Sequence, residues 1–105
     1  MSIVVPVADL RGALEPYAWG YLVTVGDGGT AHMLAVPTQW RGESLFAEVG
    51  AGTRANAAAR PAITMVFPPA DGHGYSLIVD GEASVVDDGV EVAPRAAVLH
   101  RPALR

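Results

Sequence analysis

The sequence predicts a mainly β protein: a six-stranded antiparallel barrel with a short helix across one open end and another near the N-terminus. Three observations carry this. Short apolar, β-branched runs recur along the chain. Tight turns built from Gly, Asp and Glu separate most of them, and such turns join antiparallel neighbours. A single internal segment, rich in alanine, reads as helix between the third and fourth strands.

Residues Ala8 to Glu15 begin the element order as a short helix. Val7, Leu10 and Leu14 recur at helical spacing and are expected to face inward, and Pro16 ends the helix. Trp19 to Val25 is the first strand, stopped by the hairpin signal Gly26-Asp27-Gly28-Gly29. Thr30 to Trp40 returns, and Pro37 marks an edge or bulge because it has no N–H for the ladder. Arg41-Gly42-Glu43 turns the chain into the strand Ser44 to Val49. Gly50-Ala51-Gly52 leads into the helix Thr53 to Arg60, with Thr53 suited to its N-cap and Pro61 as its stop. Ala62 to Phe67 is the fourth strand and Pro68 to Gly74 a loop. Tyr75 to Val86 is a long strand with Tyr75, Leu77, Val79, Ala83 and Val85 on one face. Asp87-Asp88-Gly89 turns it into the last strand from Val90, which Arg95 to His100 continues or leaves. No repeat, linker or low-complexity tract divides the chain, so residues 1–105 read as one domain.

Half the residues are hydrophobic and 17% are charged, which excludes a disordered chain. No apolar run approaches the ~18–20 residues of a membrane helix, and the N-terminal segment lacks the length and basic flank of a signal peptide. The expectation is a cytoplasmic protein without a membrane partner. There is no cysteine, hence no disulfide, thiolate nucleophile or cysteine-bound metal. All seven basic residues are arginine, so no lysine can form a Schiff base. Eleven acidic residues leave a net charge of −4, which argues against a nucleic-acid partner. The apolar strands cannot all point into one small barrel. A homodimer burying roughly 2,000 Å² or more is expected to cover the outer face.

Catalytic motifs are absent. His32, His73 and His100 show no metal-ligand spacing and read as surface or packing histidines. Asp71, Asp87 and Asp88 sit in turns, where Asp bonds to backbone. Ser44, Ser76 and Ser84 lie in no nucleophile elbow. The informative segment is Gly50 to Arg60: a helix start behind glycines offers free N–H groups, a hydroxyl on Thr53 and a guanidinium on Arg54. An ordinary connecting helix with solvated arginines has the same pattern, so the residues alone leave both readings open.

A resemblance sharpens this. Tyr21-Leu22-Val23-Thr24-Val25-Gly26-Asp27-Gly28-Gly29-Thr30-Ala31-His32, Ser44-Leu45-Phe46-Ala47-Glu48, Gly52-Thr53-Arg54-Ala55-Asn56, Pro61-Ala62-Ile63-Thr64-Met65 and Tyr75 to Ala83 follow one another in a familiar order. That order resembles the pyridoxamine 5'-phosphate oxidase-like family of flavin-binding split β-barrels, over about 80% of the chain. The resemblance implies a homodimer binding FMN, or a deazaflavin, at the subunit interface. It gives the phosphate to Thr53, Arg54, Asn56 and, by compensation, Arg60, and lays Val36, Pro37 and Thr38 against the ring system. The sequence departs from the family in a connecting helix about two residues shorter and in having no lysine at the phosphate site. The tail Arg95 to Pro102 is similar to that of a small branch and lacks the region used for pyridoxamine phosphate, so that activity does not carry over. Three functions stay open: an FMN-dependent oxidoreductase of unknown substrate, a deazaflavin-dependent reductase, and a non-catalytic binder or scaffold dimer without cofactor.

Overall fold

The computed structural model describes residues 1–103; residues 104 and 105, the end of the expected domain, lie outside the described residues. The elements are β1 (Ser2–Val5), a 3-10 turn (Val7–Asp9), α1 (Leu10–Leu14), β2 (Gly20–Val25), β3 (Ala31–Val36) and β4 (Gln39–Arg41). They continue with β5 (Ser44–Glu48), α2 (Ala51–Ala59), β6 (Ala62–Phe67), β7 (Ser76–Val86) and β8 (Gly89–His100). All strand pairs are antiparallel, in the order β3-β2-β6-β7-β8-β5-β4, with β1 on β8. No helix among the described residues is long and apolar enough to cross a membrane.

The mainly β antiparallel class stands, with eight strands rather than six. Pro37 accounts for one of the extra strands. Without an N–H it ends β3, and the chain leaves the ladder for Pro37 and Thr38 only. β3 and β4 then stand at opposite ends of the strand order, so the sheet curls until its edges approach each other at Pro37. The other extra strand is the N-terminal segment, whose four residues show no turn signal and owe their β form to the end of β8.

The β7–β8 hairpin sets the shape. Its register shifts between Asp80, opposite Ala96, and Gly81, opposite Pro94, so Arg95 is the extra residue of a bulge. A Cβ on Gly81 would lie 2.7 Å from the Ala93 carbonyl oxygen, so this approach requires glycine. The bulge redirects β8: its first part pairs with β5 from Gly89 to Val92, its last part with β1 from Ala97 to His100. Residues 93–96 have no strand neighbour on that side, and the barrel is split there.

Leu22, Leu45, Met65, Phe67, Leu77, Val79, Val90 and Val92 fill the interior with almost no exposure. Each large apolar side chain so buried contributes roughly 1.5–3 kcal/mol. Leu10 and Leu14 of α1 join them, but Val7 is 43% exposed. The expected helical spacing fails there because the chain makes a 3-10 turn before α1 begins. Leu77, Val79 and Ala83 share the inner face of β7 as expected, Tyr75 is half-buried, and Val85 near the hairpin tip is 42% exposed.

The connecting helix also differs from expectation at its start. Gly50, extended at φ −72° and ψ 173°, is the N-cap, with no side-chain cap hydrogen bond. Thr53 is therefore inside the first turn and not the cap. At the other end Arg60 is the C-cap and Pro61 follows. The alanines let α2 lie close on the sheet, where Ala57 is 1% exposed.

Candidate functional site

The start of α2 opens on a groove of about 490 Å³ lined by Pro37, Glu48, Val49, Gly50, Arg54 and Asp88. Four separate stretches meet there: the β3–β4 break, the end of β5, α2 and the β7–β8 turn. The Val49 N–H donates to the Asp88 carbonyl at 3.1 Å, tying the approach to α2 onto that turn.

Arg54 reaches back along its own helix. Its Nη1 donates to the Val49 carbonyl at 2.6 Å, and its backbone N–H makes the first helical bond, to Gly50, at 3.0 Å. The N–H groups of Ala51, Gly52 and Thr53 precede that bond and have no partner within the helix. Gly50 and Gly52 face open space, since a Cβ on either would meet nothing within 4 Å. Free N–H groups, the positive end of the helix dipole and a half-buried guanidinium with spare donors suit an anion such as a phosphate. The exposed carboxylates of Glu48 and Asp88 line the same groove, and among the described residues neither pairs with Arg54. Their negative charge opposes the anion-attracting helix start from the other side of the groove.

The expected site residues thus divide. Pro37 and Arg54 meet on the groove, and Thr53 stands half-buried in the same helical turn. Asn56 and Arg60 lean instead on the β2–β3 hairpin. Asn56 Nδ2 donates to the buried Thr24 hydroxyl at 3.4 Å. Arg60 Nε donates to the Val25 carbonyl at 2.7 Å, and its Nη2 meets the Asp27 carboxylate at 2.8 Å. Val36 points into the core at 3% exposure. Thr38 lines a different cleft, with Leu14, Tyr17 and Leu45. There Tyr17 donates its hydroxyl to the Tyr75 carbonyl at 2.7 Å, and burial pushes its phenol above the ordinary value. Glu48 and Asp88 carried no signal in the sequence; the pairing of Glu48 with Gly89 brings them together.

Asp71 accepts from the His73 backbone N–H at 2.8 Å, as a turn residue does. His100 Nδ1 lies 3.0 Å from the Ser2 hydroxyl at the surface. No cluster of three metal-ligating side chains occurs among the described residues.

No family model matches the chain. Uncharacterized proteins of Mycobacterium bovis and Mycobacterium tuberculosis are 39% identical to it over 116 residues, covering 94% of this chain and 82% of each relative. The chain belongs to their family. Among solved structures, a FAD-binding protein of Mycobacterium smegmatis superposes with a TM-score of 0.69 at 22% identity, covering 94% of this chain and 97% of that one. An F420 reductase gives 0.68 at 23% identity, covering 83% and 94%. A Listeria innocua protein provisionally described as a pyridoxamine 5'-phosphate oxidase gives 0.75 at 14% identity, covering 89% and 96%. These likenesses are of fold: this chain shares the split β-barrel of those structures.

Proposed function

We propose that the protein binds a flavin-type cofactor, FMN or a deazaflavin, as a homodimer. The observation that carries this reading is the meeting of Pro37 with Arg54 and the free N–H groups of α2 on one groove. It is supported by a fold shared with a FAD-binding protein and an F420 reductase. The groove lies within the ~300–1,000 Å³ of small-molecule sites. The start of α2 and Arg54 would hold a phosphate, while Pro37, which has no N–H, would leave a flat wall for the ring system. Hydride or electron transfer would be the chemistry of the bound cofactor, and the chain would position it and limit water.

The dimer rests on the outer face of the sheet. The strand registers align one residue from each of six strands into a lateral row: Ala35, Tyr21, Val66, Ile78, Val98 and Val4. The row is apolar apart from one phenol, Val4 is 75% exposed, and Met33 beside it is 61% exposed. A second copy would remove this surface from water.

The Glu48 and Asp88 carboxylates favour one competing reading, a non-catalytic dimer without cofactor. Titration of the purified protein with FMN and with a deazaflavin, followed by absorbance and fluorescence, separates the two. Saturable binding of either supports the proposal, and unchanged spectra with both support the competing reading. Sedimentation of the same samples at micromolar concentration should show a dimer; a stable monomer overturns the proposed assembly.

A further inference from the structure

The split in the barrel contains a second cleft, away from the α2 groove. Val7, Ala8, Arg11, Trp40, Glu43, Ser44, Ala93 and Pro94 line a space of about 560 Å³. Its cause is the β8 bulge. β8 leaves β5 after Val92 and meets β1 only at Ala97, so Ala93 and Pro94 stand without a strand beside them. The 3-10 turn and α1 cover the opening from above and supply Val7, Ala8 and Arg11.

The cation of this cleft is held in place. The Arg11 guanidinium lies 4.3 Å from the centroid of the Trp40 ring, and its Nη2 donates to the Gly42 carbonyl at 2.8 Å. That contact fixes one end of a planar fork and leaves other N–H donors free. Glu43, next to Gly42, lines the same cleft with the opposite charge. Among the described residues the two form no ion pair, so neither charge neutralises the other. The rest of the lining is apolar apart from the Ser44 hydroxyl.

We propose that this cleft binds a small zwitterion with an apolar body, of the class of the aromatic amino acids. A carboxylate would take the free donors of Arg11, an ammonium would take Glu43, and the apolar body would lie among Trp40, Val7, Ala93 and Pro94. A ligand with only one of the two charges would leave the like-charged or unpaired partner uncompensated. The site shares no residue with the α2 groove, so it stands or falls independently of the flavin reading.

Calorimetric titration of the full chain with L-phenylalanine, phenylacetate and phenethylamine tests this. L-Phenylalanine should bind at least tenfold more tightly than either singly charged probe. Glu43→Gln, at an exposed turn, should erase the advantage over phenylacetate while keeping the fold. Arg11→Gln should erase the advantage over phenethylamine, with circular dichroism confirming that α1 still docks. Arg41→Gln, which stacks on Phe46 outside the cleft, should change neither ratio. Absence of L-phenylalanine binding at millimolar concentration, equal binding of the three probes, or ratios unmoved by Glu43→Gln overturns the proposal.

Discussion

Arg54, in the first turn of α2, and Arg60, at its C-cap, are the same residue type, yet the fold uses them in different ways. Arg60, past the end of α2, reaches across to the β2–β3 hairpin, where a backbone carbonyl and the Asp27 carboxylate both accept from it. Its guanidinium is consumed in fastening the helix to the sheet. Arg54, in the first turn, bonds a carbonyl of the chain leading into its own helix and, among the described residues, otherwise faces a groove. The difference lies in the acceptors that topology brings near each side chain. Where a neighbouring hairpin presents a carbonyl and a carboxylate, an arginine becomes a tether. Where only a helix start and open space adjoin it, its spare donors remain for a ligand.

The sharpest way to break this contrast is Arg54→Ala. Flavin affinity should fall about ten- to a hundredfold, the equivalent of about 1.4–2.8 kcal/mol, while the far-ultraviolet circular dichroism stays that of the parent. The Val49 carbonyl left behind faces the open groove and can take water instead. Affinity equal to the parent's would remove Arg54 from the site.

Arg60→Ala should show the opposite signature. Losing the bond to the Val25 carbonyl costs about 1–2 kcal/mol of stability, read as a lower denaturation midpoint. Flavin affinity should stay within about twofold of the parent, well below the tenfold change that 1.4 kcal/mol represents. If flavin binding fell as far as in Arg54→Ala, both arginines would serve the ligand and the contrast would fail.

Asp27→Asn should have the smallest effect. The Asp27 side chain is 97% exposed, so its pairing with Arg60 is screened by solvent. A slight drop in melting temperature is expected at low salt and none at about 1 M salt. A salt-independent loss would mean that the carboxylate, and not the Val25 carbonyl, is the main anchor of Arg60.

Arg60 shows how far a sequence carries such an argument. The family resemblance gives Arg60 to the phosphate as a substitute for the absent lysine. The engagement of Arg60 by Val25 and Asp27 depends on where α2 lands on the sheet. The groove was half legible. Arg54 and the free N–H groups follow from glycines before a helix, and Pro37 followed from the family resemblance. Glu48 and Asp88 arrive through strand pairing alone.

The local elements were written in the sequence itself. Alternating apolar residues, Gly-Asp turns, an alanine-rich segment and prolines at the ends of elements act within a few residues, so β2, β5, β6, β7 and both helices were placed with small errors at their ends. The antiparallel, mainly β class followed from the short turns. What tertiary structure decided is non-local. Ser2–Val5 is a strand only because β8 offers it an edge. Pro37 ends β3 for a local reason, but only the curled sheet sends the residues after it to the opposite edge as β4. The split, and the Arg11–Trp40 cleft within it, exist because a bulge at Gly81 and Arg95 turns β8 from one partner to another. Gly81 and Pro94 mark the bulge in the sequence, but which strand β8 pairs with on either side of it is set only when the sheet is assembled.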